Sequence, residues 1–239
     1  MSSSTSVSPM PKHRITNANM VGAARMWCSD RKKAERTYGH ISQWDVSKVK
    51  NFKYLFKNAT DFDDDISDWN LISATTTEGM FDGASSFSGV LASWNVTYVT
   101  DMENMFRNAK SFNQHINEWD VSRVTDMQNM FEGAESFDSP LNEWDVSRVG
   151  NMQNMFKGAE SFDRPLNEWD VGYVTTMRSM FDGAVRFNQS LMNWDVSRVH
   201  DMSYMFRRAK GFDADHANEL AVWPIQMTVV MDGGMFNES

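Results

Sequence analysis

The chain has 239 residues, with nine Trp, sixteen Phe and nineteen Met in a sequence that is 41% hydrophobic and carries a net charge of −9. So many bulky apolar side chains exclude general disorder, because disordered sequences lack the apolar surface that offsets chain entropy. One cysteine, Cys28, excludes an internal disulfide framework and a cysteine-based zinc site; no run reaches the roughly 18 apolar residues of a membrane span; and the acidic balance argues against a general nucleic-acid binder.

The N-terminus, Met1 to Pro11, is rich in Ser and has no apolar h-region, so no secretory signal is visible and an intracellular location is expected. Residues 1–13 read as a flexible tail. Residues 14–40 read as a helical N-terminal cap. In it Asn17 to Trp27 has an amphipathic pattern, and Ser29 is placed to N-cap a second helix ending at Gly39. Cys28 is expected to pack in this cap beside Trp27.

From residue 41 a repeat takes over. Trp44, Trp69, Trp94, Trp119, Trp144, Trp169 and Trp194 are each 25 residues apart, and two Phe columns, Phe56 to Phe206 and Phe62 to Phe212, keep the same period. Seven copies without an insertion predict a solenoid or array over 41–215, because one added residue would shift every side chain out of its column. Within a unit, Ile116, Trp119, Val121 and Val124 follow the spacing of a leucine-rich repeat with Val in its last slot. Trp119 and Val121 alternate with Asp120 as in a short strand with one buried face. Val124, Met127, Met130, Phe131, Ala134 and Phe137 then step by three and four, which predicts a helix with one apolar face. Thr100 with Glu103 and Thr125 with Gln128 have capping-box spacing. Gly or Asn before the Ala column, as at Gly133 and Asn108, suits a left-handed helix end, a rule that Arg208 breaks. The expected architecture is thus an α/β solenoid, a leucine-rich-repeat-like right-handed coil of short parallel strands and short helices, with seven 25-residue repeats between two caps. Residues 216–239 read as a degenerate repeat and C-terminal cap, in which Trp223, Ile225 and Met231 follow a four-residue slip and Pro224 replaces the usual Asp.

The wording Asn117-Glu118-Trp119-Asp120-Val121-Ser122-Arg123-Val124-Thr125-Asp126-Met127, followed by Met130-Phe131 and Ser136-Phe137, resembles the BspA-type leucine-rich repeat surface-protein family. The likeness covers about residues 41–212 and is strongest from Val99 to Val199. Repeat two departs from it, with Asn70, Leu71 and Ala74 in place of Asp, Val and Val, and with Gly79 inside the expected helix. The resemblance implies a leucine-rich-repeat-like solenoid, a role in binding or adhesion, and a cell-surface location as the alternative to an intracellular one.

Candidate functional residues lie beside the tryptophans. The following residue reads Asp45, Asn70, Asn95, Asp120, Asp145, Asp170, Asp195. Such a row could ladder calcium, or each side chain could accept a hydrogen bond from nearby backbone; Asn in two copies favours the second reading. The preceding residue varies, from Gln43 through Glu118, Glu143 and Glu168 to Asn193, as a solvated or partner-selecting face would. Lys48, Arg123, Arg148 and Arg198 form a column that compensates the Asp row. The five histidines sit at unrelated positions, and no metalloprotease, hydrolase-elbow or phosphate-loop motif occurs. No catalytic, cofactor-binding or metal residue is therefore assigned, and the chain is not expected to be an enzyme. The expected function is a non-enzymatic protein–protein interaction or assembly module, with Glu118, Asp120, Glu143, Asp145, Glu168 and Asp170 at the centre of its binding face. Its partner would be a protein, either basic or part of a larger assembly, with no nucleic acid and no membrane span. The alternative is a cell-surface adhesion or carbohydrate-binding protein.

Overall fold

The computed structural model describes residues 13–223. Strand β1 (His13–Arg14) pairs in parallel with β2 (Trp44–Asp45), His13 facing Trp44. Between them helix α1 (Met20–Ser29) buries Met20, Ala23, Ala24 and Trp27, a spacing of three and four that puts all of them on one face. Helix α2 (Arg31–Tyr38) follows after one residue. Asp30, not Ser29, caps it by accepting from the Lys33 backbone N–H at 3.0 Å. Ser29 is instead the last residue of α1, and its hydroxyl donates back to the Arg25 carbonyl. Gly39 ends α2 at φ 72°, as its position in the sequence predicts.

The 25-residue units lie side by side, each residue against its equivalent in the next. One-residue parallel bridges link Asn51 to Thr76, Thr76 to Asp101, and onward to Asp201 in steps of 25. The tryptophan row is buried throughout, at 1–3% exposure from Trp44 to Trp194. Neighbouring indoles are near-parallel, as for Trp94 and Trp119 at 6.3 Å and 3°. Each indole N–H from Trp69 to Trp194 donates to the Ile or Leu carbonyl 28 residues earlier, at 2.8–3.1 Å. A buried Trp needs such an acceptor, and the preceding unit supplies it. The Phe columns meet in offset pairs inside each unit, for example Phe106 on Phe112 at 3.9 Å, and stack between units, for example Phe106 on Phe131 at 5.7 Å.

The strand expected at Trp119–Val121 and the helix expected over Val124–Phe137 are not present. Among the described residues, the units contain no α-helix before α3 (Ala214–Glu219), and β2 is their one strand. A run of tight turns replaces the helix. Met130, Glu132, Ala134 and Phe137 donate to the carbonyls three residues back, at 3.0–3.2 Å. The intervening Met127, Asn129, Phe131 and Gly133 instead donate to Asn151, Gln153, Met155 and Lys157 of the next unit, at 2.7–3.1 Å. Half of the backbone donors thus satisfy the neighbouring unit, where a helix would spend all of them internally. The conformation requires two left-handed residues per unit. Gly133 (φ 68°) belongs to the column that the Gly and Asn pattern marks, and Arg208 (φ 60°) adopts the same conformation there despite its side chain. The second column, from Tyr54 through Gly79, Asn104, Asn129, Asn154 and Ser179 to Tyr204, has φ 54–62°. Gly79 is therefore not a flaw inside a helix. Asn suits the column because it tolerates the left-handed region, and here its amides also form a ladder, Asn154 to Asn129 and Asn129 to Asn104, at 2.9 and 2.8 Å.

The expected capping boxes dissolve with the helix. The Thr125 N–H and hydroxyl both donate to the Thr100 carbonyl of the preceding unit, and Gln128 N–H donates to Asp126 Oδ1. At the C-terminal end, Asp213 caps α3 through His216 N–H at 3.0 Å. A 3-10 turn, Leu220–Val222, then leads to buried Trp223. Pro224, Ile225 and Met231, and the tail expected over 1–13 apart from His13, lie outside the described residues.

Candidate interaction face

The residue after each tryptophan performs one structural task in all seven units. Oδ1 of Asp45, Asn70, Asn95, Asp120, Asp145, Asp170 and Asp195 accepts the backbone N–H two residues on, at 3.0–3.2 Å. This is an Asx turn, for which Asn and Asp are equally competent because only the carbonyl-type oxygen is used. Asp120 also accepts from the Ser122 hydroxyl at 2.6 Å. That bond, followed by the backbone one, holds its carboxyl below the ordinary aspartate value, with a smaller contribution from the Arg123 charge.

Beyond the turns, charge is exposed. Glu118, Glu143 and Glu168 and Asp120, Asp145 and Asp170 are all solvent-exposed, on either side of buried Trp119, Trp144 and Trp169. Asn142 and Asn167 donate to Glu143 and Glu168 at 2.8 and 2.6 Å, and Asn117 accepts the Glu143 N–H at 3.2 Å. Hydrogen-bonded neighbours spaced about 4.8 Å apart put three units within roughly 10 Å, and two exposed carboxylates at that step repel by about 0.9 kcal/mol in water. The column expected to compensate the Asp row is occupied elsewhere in part: the Arg123 guanidinium lies over the Tyr98 ring at 4.7 Å and Arg198 over Tyr173 at 5.6 Å.

Two further charged columns escaped the reading by motif. The first alternates in sign along the units, as Lys57, Asp82, Arg107, Glu132, Lys157, Asp182, Arg207. Lys57 and Arg107 flank Asp82 at 3.0 and 3.1 Å, Lys157 meets Glu132 at 2.9 Å, and Arg207 meets Asp182 at 2.6 Å. Burial pushes the Asp182 carboxyl up, but Arg207 and Arg208 outweigh it and hold the pKa low. The alternation at a 25-residue step was legible as soon as the period was known. In the second, carboxylate oxygens of Glu78, Asp101 and Glu103 lie within 4.8 Å of one another. The Lys53 ammonium bonds Glu78 and reaches Asp101 at 3.4 Å, so the cluster already contains a cation. The Tyr54 hydroxyl donates to Glu78, which with burial pushes its pKa up to about 12.

A cleft of about 420 Å³ opens where the cap meets the first units, lined by Trp27, Cys28, Arg31, Asn58 and Phe62 among others. Cys28 is exposed here, which corrects the expectation that it packs in the cap: α1 turns Trp27 inward and so carries the next residue outward. Although the residue is exposed, the cleft wall partly desolvates its sulfur, which with the Asp64 charge raises the thiol pKa, and Arg31 opposes this.

Charge is also divided along the chain. Residues 1–57 hold eleven Lys and Arg against three Asp and Glu, a net +8, whereas the remaining 182 residues hold twelve against 29, a net −17. The overall acidic balance conceals this asymmetry, which a count by halves would have exposed.

Among the described residues, no helix is long and apolar enough to cross a membrane. No curated protein matches the chain. One family profile matches it twice, over residues 25–144 and 136–239, and so takes in nearly the whole sequence. The chain therefore belongs to the repeat-protein family described as "Mycoplasma protein of unknown function, DUF285".

Proposed function

We propose that residues 41–215 form a right-handed solenoid of the BspA-type leucine-rich-repeat kind, its units made of turns, and that the chain is a non-enzymatic protein-interaction module. The observation that carries this reading is the set of six exposed carboxylates, Glu118, Asp120, Glu143, Asp145, Glu168 and Asp170, repeated at the unit spacing beside a fully buried tryptophan row. Each Asp uses Oδ1 in its own turn, so its position is held before any partner arrives. A face ordered in advance loses little conformational entropy on binding. Its mutual repulsion is relieved by a basic protein segment, which is the partner class we assign.

The test is capture of binding proteins from native cells with the full chain, followed by affinity measurements across a salt series. Reversal of Glu118, Glu143 and Glu168 together to Lys is expected to abolish capture of a basic partner, and binding to the unmodified chain should weaken as salt rises. Unchanged affinity and salt dependence in the folded triple variant would mean that this face serves solubility alone. Capture of glycans in place of a protein would support the adhesion alternative.

A further inference from the structure

Among the described residues, a basic surface without a role so far sits on the N-terminal cap. Arg25 on α1 and Lys32, Lys33 and Arg36 on α2 are exposed, as are Lys48 and Lys50 of the first unit. Lys32 and Lys33 lie four and three residues before Arg36, so these three share a side of α2. Nearby cations that do form ion pairs are Arg31 with Asp64, which ties the cap to the first unit, and Lys53 with Glu78 and Lys57 with Asp82, which tie the first unit to the second. Among the described residues, Arg25, Lys32, Lys33, Arg36, Lys48 and Lys50 enter no such pair.

We propose that this basic cap surface docks onto the acidic face, Glu118 to Asp170, of a second copy of the same chain, giving head-to-tail association. The proposal rests on the role of that face as a binding surface and names a partner for it. Charge complementarity selects the occupant. Residues 1–57, which include the cap, carry +8 and the rest of the chain −17, so each copy presents both halves of the contact. Repeated in one direction without being reciprocated, such a contact is heterologous and gives open chains or rings.

Sedimentation of the full purified chain at about 100 µM tests this, with salt raised from about 50 to about 500 mM. The expected result is association at low salt that weakens at least about tenfold at high salt. Reversal of the cap (K32E, K33E, R36E) and reversal of the face (E118K, E143K, E168K) should each leave a folded monomer. A wild-type chain that is monomeric at low salt overturns the proposal. So does either reversal that associates like wild type. These outcomes are independent of the capture experiment: a face that binds a cellular protein while the purified chain stays monomeric refutes self-docking alone.

Discussion

Replacement of Trp119 by Ala tests the stacked core most directly. The indole is 3% exposed, lies 6.3 Å from the Trp94 and Phe106 rings, and donates to the Leu91 carbonyl at 3.0 Å. Removing about 200 Å² of buried ring surface forfeits at most about 5 kcal/mol at 25 cal/mol per Å². Partial collapse of the cavity recovers some of this, and measured Trp→Ala losses of about 3–5 kcal/mol place the expected cost near 4 kcal/mol. The Leu91 carbonyl is not orphaned, because it keeps the Trp94 N–H at 3.0 Å, so no further penalty for a buried acceptor arises. In urea titrations followed by circular dichroism, a slope of about 3 kcal/mol/M converts that cost into a midpoint lower by about 1.3 M. Trp119→Phe keeps the ring stack and loses the donor, and should cost about 1–2 kcal/mol. A midpoint for Trp119→Ala within about 0.3 M of wild type would refute the view that the row carries stability. A loss no larger for Ala than for Phe would refute the assigned role of the stack.

The left-handed column gives a paired test. Gly133→Ala should cost at least about 1 kcal/mol, since φ is 68° and the added methyl would overlap Asn108 Oδ1, whereas Gly22→Ala, in α1 with nothing within 4 Å, should raise the stability by up to about 1 kcal/mol. Asp120→Asn should change stability by less than about 0.5 kcal/mol, as Asn70 and Asn95 make the same turn, while Asp120→Ala should lose about 1 kcal/mol, both read from urea midpoints. Burial, aided by Asp126, Glu78 and Asp101 and opposed by Asn104, raises the Glu103 pKa above its unfolded 4.5. The fold thus favours the protonated acid: that contribution is complete below pH 4.5 and lost as pH rises through the folded value. Glu103→Gln should therefore exceed wild type in stability at pH 7 and lose the advantage near pH 4. Millimolar calcium should raise the melting temperature by no more than a few degrees and chelator should not lower it, because Lys53 already neutralises the Glu78 cluster and the Asp row alternates with Asn.

The period and the inward columns were determined by the sequence alone. Identical spacing over seven copies admits one register between units, and the Trp and Phe columns at that spacing are the ones found buried, with only Phe212 at the end partly so. The Asx role of the residue after each Trp was legible too, because substitution of Asn for Asp discards charge and keeps an acceptor. What the sequence could not decide was the backbone path from Val124 to Phe137. A run of turns and a helix both bring residues three apart to one side, so Met127, Met130, Phe131, Ala134 and Phe137 satisfy either pattern. The choice turns on where the N–H groups of Met127, Asn129, Phe131 and Gly133 find acceptors, and those acceptors, the carbonyls of Asn151 to Lys157, belong to the next unit. Asn104, Asn129 and Asn154 held the local clue to the second left-handed column, but an Asn alone fits many conformations, and only its repeated pairing across units shows which one it serves. The exposure of Cys28 depended likewise on which face of α1 the first unit covers, a fact of packing that one helix cannot specify by itself.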